Sequence, residues 1–218
     1  MKTNLKCSFF FCCLLGASVC SGFAQGFVNL DFENPVLPLM PMYAEITASD
    51  GIPGWTAYSN GIQQGQIGYN TRPLDAAEVT LQGPGSPQLT PIQGCYSVEQ
   101  FGSSRFQPPA SAAIGQTGQI PANAMSLTFW GYSSDVTFAG HALPLVLLGT
   151  TPNYYIYGAD ISSFAGQTGQ LLFTVQAQSF DIIDNIQFST SAVPEQNSFG
   201  LFAFVGLLMA CRPWRRIR

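Results

Sequence analysis

Between Gln25 and Ala192 the chain has no lysine and only two arginines, Arg72 and Arg105. A surface helix needs charged and other strong helix formers on its wet face, and this stretch cannot supply them. It offers instead short apolar runs separated by glycine and proline. Such a pattern specifies strands joined by tight turns. The stretch spans about 170 residues, enough for one domain with its own core.

Strand signals recur along it. FVNLDFE at 27–33 alternates Phe27, Asn29, Asp31 and Glu33 with Val28, Leu30 and Phe32. GIPGW at 51–55 reads as a turn followed by a large aromatic. Short runs follow at 66–70, 77–82 and 95–101, then SLTFWGY at 126–132. VTFAGHALPLVLLG at 136–149 reads as a hairpin turning at Ala139, Gly140 and His141. YYIYGADI (154–161), QLLFTVQAQ (170–178) and FDIIDNIQF (180–188) complete about nine or ten strands. GQTGQ occurs twice, at 115–119 and 166–170, where glycine turns before apolar strands are expected. Paired loops that meet sugar hydroxyls are the alternative reading. The fold class predicted is all-β, a single jelly-roll-like β-sandwich flanked by an N-terminal signal helix and a C-terminal apolar helix.

The two ends read differently from the middle. Residues 1–24 place Lys2 and Lys6 before an apolar run from Cys7 to about Val19, with Gly22 and Ala24 three and one places before Gln25. That is the layout of a secretory signal peptide, and it predicts cleavage after Ala24. The run is too short for a span of roughly 20 residues. Lipoprotein processing at Cys20 is the rival, and Val19 is a poor final residue for a lipobox. Residues 191–218 hold Val193, Pro194, Glu195 and Gln196, an apolar run over 199–211 and a basic end over 212–218. By the positive-inside rule the four arginines there would stay in the cytoplasm. A plain C-terminal membrane anchor is the simplest reading of this tail.

The tail also resembles a PEP-CTERM sorting signal, whose pattern is Val-Pro-Glu-Pro, an apolar helix and arginines. Gln196 stands where that family has its second proline. The resemblance implies export by the Sec translocon, trimming by signal peptidase and transient insertion through the C-terminal helix. An exosortase would then release residues 25–190 to the cell surface or exopolysaccharide matrix.

LDFENP, GIPGW, ADISSFAGQTGQLLF and DNIQF together resemble galactose-binding-like jelly rolls and carbohydrate-binding modules. That resemblance implies that the first and last strands lie side by side. It also implies a structural calcium ion between them, with Asp31, Glu33, Asp184 and Asn185 as candidate ligands. Plain turn or strand-edge hydrogen bonds at Asp184 and Asn185 are the other reading.

Charge and chemistry narrow the function classes. Two cations stand against all twelve acids within residues 25–198, a formal balance of −10. Such a surface repels nucleic acid and anionic lipid, which excludes nucleic acid as a partner. Of six cysteines only Cys95 lies in the ectodomain, so no disulfide holds the fold, and a buried structural thiol is expected there. His141 is the single histidine. No GxSxG, HExxH, zinc-spaced cysteine pair, P-loop or dinucleotide fingerprint occurs. Carboxylates are the one plentiful chemistry. Glycoside hydrolysis needs two of them facing each other, and Glu33, Glu45, Glu78 and Glu99 are the candidates. The expectation is a non-enzymatic exported protein that binds extracellular polysaccharide. A small secreted glycan-acting hydrolase is the alternative.

Overall fold

The computed structural model describes residues 26–37, 44–72, 76–87, 89–103, 108–132 and 134–194. The expected signal peptide with Ala24, and Glu195, Gln196 and the apolar and basic tail, lie outside the described residues. Among the described residues no helix is long and apolar enough to cross a membrane.

Among the described residues fourteen strands form two sheets, more than the nine or ten expected because several are very short. One sheet has eight strands. In spatial order they are β1 (Ala44–Thr47), β4 (Gln66–Tyr69), β5 (Glu78–Gln82), β6 (Ser97–Phe101), β14 (Phe180–Ser189), β8 (Ser126–Gly131), β12 (Tyr155–Asp160) and β11 (Val146–Thr150). The other has six, in the order β10 (His141–Ala142), β9 (Asp135–Phe138), β13 (Thr168–Val175), β7 (Ala112–Gln119), β2 (Thr56–Ser59) and β3 (Ile62–Gln64). All pairings between these strands are antiparallel except β4 with β5. One helical turn, Ala48–Gly51, is capped by the Thr47 side chain, which accepts from the Asp50 N–H.

Side chains alternate across each strand, so every strand divides its residues between two faces. Val79, Leu81, Val98, Leu127, Phe129 and Ile183 face the second sheet and pack with Ile114, Leu171 and Phe173 in one core. The rings of Trp55 and Phe173 lie 6.1 Å apart, and those of Phe129 and Phe173 meet edge to face at 5.1 Å. The opposite, outer face of the eight-stranded sheet is polar yet buried. Thr80, Gln82, Ser97, Glu99 and Asp184 are all fully buried there. The connection from 83 to 96 lies across them. Ser86 donates to Gln82, the Ile92 N–H to Ser97, and the Gln93 N–H to Asp184.

Three expectations need correction. Residues 27–33 are not a strand. Their alternation imitates one, but Asn29 and Phe32 take φ of 50° and 55°, and the chain turns to drop Phe32 into the core beside Trp55. Gln116 holds this segment instead, accepting from the Val28 N–H and donating to the Val28 carbonyl. The segment still lies against the last strand, through the Ile186 N–H to the Leu30 carbonyl. Cys95 is exposed, not buried, because it sits in a turn ahead of β6. The first GQTGQ is not a turn but lies inside β7. It pairs with the second copy, Gly118 opposite Gly169. The turn expectation holds for the second copy, at Gly166 with φ 75°, and for the hairpin at Ala139 and Gly140.

Candidate functional site

Two pockets among the described residues bear on function. The first is a groove of about 340 Å³ between the crossing connection and the turn ahead of β12. Thr90 and Pro91 form one wall, Asn153, Tyr154 and Tyr132 the other, and Ile182 lines it from β14. Tyr154 is backed by Trp130, whose ring stacks on it at 4.9 Å and 14°. The turn that presents Tyr154 is built by Thr151, whose hydroxyl donates to the Tyr154 carbonyl and accepts from its N–H. Tyr132 packs against Tyr155 and Phe180, so the rim is aromatic on that side. Its backbone N–H is held by the buried Asp181 carboxylate, which also accepts from the Ser134 hydroxyl. A backed aromatic ring beside amide and hydroxyl groups can stack on an apolar ligand face and hydrogen-bond its edge.

The second pocket, about 370 Å³, is lined by Glu45, Gln64, Gln66, Ile67, Glu78 and Val79. It brings together two of the four glutamates singled out in the sequence. Burial, with the Glu45 charge adding to it, pushes the Glu78 carboxyl above its ordinary range. Glu99 is apart from them, fully buried and bonded to Arg72 at 2.7 Å and to Gln82 at 2.5 Å. Its burial outweighs the pull of Arg72, so its carboxyl is also pushed up. The Arg72 guanidinium lies over the Phe101 ring, 4.5 Å from its centre.

Glu33 and Asp184, expected as calcium ligands, do converge on one turn. Glu33 accepts from the Cys95 and Tyr96 N–H groups. Asp184 accepts from the Gln93 N–H, the Ser97 hydroxyl and the Asn185 N–H. Asp31 accepts from the Glu33 N–H, and the Asn185 side chain accepts from Gln187. As placed, Glu33 and Asp184 clamp the backbone amides of Gln93, Cys95 and Tyr96. Among the described residues no group of three or more His, Cys, Asp or Glu is placed to hold a metal. His141 is exposed in β10, its ring centre 5.8 Å from that of Phe164. Val193 lies over Gly158 of β12, and Pro194 is exposed. Sequence reasoning missed Tyr132, Tyr154 and Arg72. The spacing of Trp130 and Tyr132 in SLTFWGY was the available signal for the first.

Burial pushes the Asp184 carboxyl up to about 7, against the pull of its three donors. The folded state then holds a proton that the unfolded chain releases above about pH 4, so stability should fall as pH rises from about 4 to about 7 and level off beyond. The full effect is on the order of 4 kcal/mol at most. Asp184→Asn keeps an acceptor and should flatten this fall in urea unfolding. An unchanged slope in that variant would show that Asp184 is ionised throughout.

The chain matches no protein-family model and no curated protein. Solved structures that align with it include a family 11 carbohydrate-binding module from Clostridium thermocellum in complex with a β-1,3-1,4-mixed-linked tetrasaccharide. It is 11% identical over 70% of this chain and 98% of that one, with a TM-score of 0.35. A family 61 carbohydrate-binding module in complex with β-1,4-galactotriose aligns at 15% identity over 76% and 98%, TM-score 0.34. The K2 cleaved adhesin domain of Lys-gingipain aligns at 16% over 77% and 97%, TM-score 0.33. At such scores the alignments decide nothing, and the β-sandwich rests on its own strand pairings.

Proposed function

We propose that this is a non-enzymatic β-sandwich that binds extracellular polysaccharide through the aromatic groove on its eight-stranded sheet. The observation that carries the reading is Tyr154, seated on Trp130 at the mouth of a groove that also holds Asn153, Thr90 and Tyr132. A sugar ring offers an apolar face for stacking and hydroxyls on its edge, and this groove supplies a partner for each. The two stacked rings leave Tyr154 little freedom to lose on binding. The test is a glycan-array screen of the protein. A defined set of oligosaccharides should bind, and Tyr154→Ala should weaken them by about tenfold or more, of the order expected for a central aromatic contact. Binding that survives in Tyr154→Ala would remove the groove as the site.

The hydrolase reading is favoured by one observation, the pairing of Glu45 with a Glu78 whose carboxyl is pushed up. Turnover of an array-positive glycan that is lost in Glu78→Gln would establish it over binding.

The route to the outside is part of the proposal. Sec export, cleavage after Ala24 and exosortase release near Val193, Pro194 and Glu195 are supported by the sequence pattern of the two ends. Intact-mass analysis of surface-released protein should show a new N-terminus near Gln25 and loss of the arginine tail. Full-length protein recovered from the cytoplasm would contradict this. Calcium at the joined ends is a separate proposal. A calcium-dependent rise in melting temperature that Glu33→Gln abolishes would assign an ion there, and a rise that survives leaves Glu33 as a clamp.

A further inference from the structure

A glycine sits where three strand residues and a threonine just past its own strand would otherwise crowd. In β4, Gly68 is paired with Glu45 of β1 on one side and with Thr80 of β5 on the other. Directly paired residues share a face, and Glu78 shares the face of Thr80 two residues away. Glu45, Glu78 and Thr80 therefore project around Gly68 on one face of the sheet, and Thr71, just past β4, reaches the same place. Three of their oxygens come close together. Thr71 Oγ1, Glu78 Oε1 and Thr80 Oγ1 all lie within 2.6 Å of the point where a Cβ on Gly68 would stand. They can come this close to the strand only because residue 68 has no side chain.

Thr80 Oγ1 is the second observation. It is fully buried, and although the Glu78 carboxyl beside it feels its pull, it makes no hydrogen bond of acceptable geometry to any described group. A buried hydroxyl without a partner is costly, and one found in a native site calls for an unseen partner. Its surroundings are anionic. Glu45 and Glu78 line one pocket, and Arg72 close by is bonded to Glu99. A water molecule would satisfy the hydroxyl but leave two carboxylates repelling each other. A cation satisfies both.

We propose that Glu45, Glu78, Thr71 and Thr80 hold a divalent cation over Gly68, with calcium as the ion that fits. Calcium takes six to eight oxygens in flexible geometry and accepts carboxylates, hydroxyls and water together, whereas magnesium demands a strict octahedron. The ion would tie β1, at the edge of the sheet, through β4 to β5, across the sheet's parallel pair. Its remaining positions would face the pocket that Gln64 and Gln66 line.

The experiment uses the full chain, stripped with chelator, and follows melting temperature and calorimetric binding against calcium, with magnesium and sodium in parallel. Calcium should raise the melting temperature saturably and more than magnesium does. Glu78→Gln and Gly68→Ala should each weaken calcium by about tenfold or more, while Glu33→Gln keeps the response. Thr80→Val gives the sharpest contrast, because its effect changes sign. It should melt at or above the parent in chelator, since the unpartnered hydroxyl is gone, yet lose the calcium response. Calorimetry that finds no calcium binding to the parent would overturn the proposal. So would a response lost in Glu33→Gln but kept in Glu78→Gln, or a Thr80→Val protein that melts lower than the parent in chelator.

Discussion

The structure depends on how the 83–96 connection is fastened to the outer face of the eight-stranded sheet. A connection crossing a sheet must find partners for its own amides and must not strand the polar groups it covers. Two carboxylates meet the first need. Glu33 takes the amides of Cys95 and Tyr96, and Asp184 takes that of Gln93. Four of the covered residues meet the second among themselves and with the connection, Ser97 with Asp184 and Gln82 with Glu99 and Ser86. Because Glu33 comes from the first described segment and Asp184 from the last strand, one turn joins the two ends of the sandwich. The groove exists because this connection stands off the sheet as one wall, facing Tyr132 and Tyr154.

Scarcity of charge shapes the rest. Arg72 bridges the buried Glu99 and the neighbouring aromatic cluster, its guanidinium 4.5 Å from the Phe101 ring centre and 5.8 Å from that of Phe180. Phe180 in turn packs on Tyr132 at the groove rim. A burial that raises Glu99, Glu78 and Asp184 together leaves the face sensitive to protons.

Much of the sandwich was legible in the sequence. Runs such as 126–132 and 180–188, and 170–178 up to Val175, are strands because alternating apolar residues act locally. The hairpin at Ala139 and Gly140 was readable for the same reason. Residues 27–33 were not, since their period-two pattern is that of a strand while their conformation is set by the pocket that Phe32 fills and by the distant Gln116. The site was legible only in part. Glu33 and Asp184 both hold one turn, 62 and 91 residues away in sequence, which their own local patterns do not reveal. The approach of Glu45 to Glu78 follows from the order β1, β4, β5, with one parallel pairing, and no local rule yields that order. The exposure of Cys95 likewise follows from the turn that Glu33 pins.

Native-state hydrogen exchange at the amides of Gln93, Cys95 and Tyr96 tests the fastening of this connection most directly. If the two carboxylates hold it to the sheet, these amides exchange slowly, with protection approaching that of β6 and β14, and Glu33→Gln releases Cys95 and Tyr96 while Gln93 stays protected. Exchange at all three as fast as in a free loop would contradict the account, because the outer face would then have no cover and the groove no second wall.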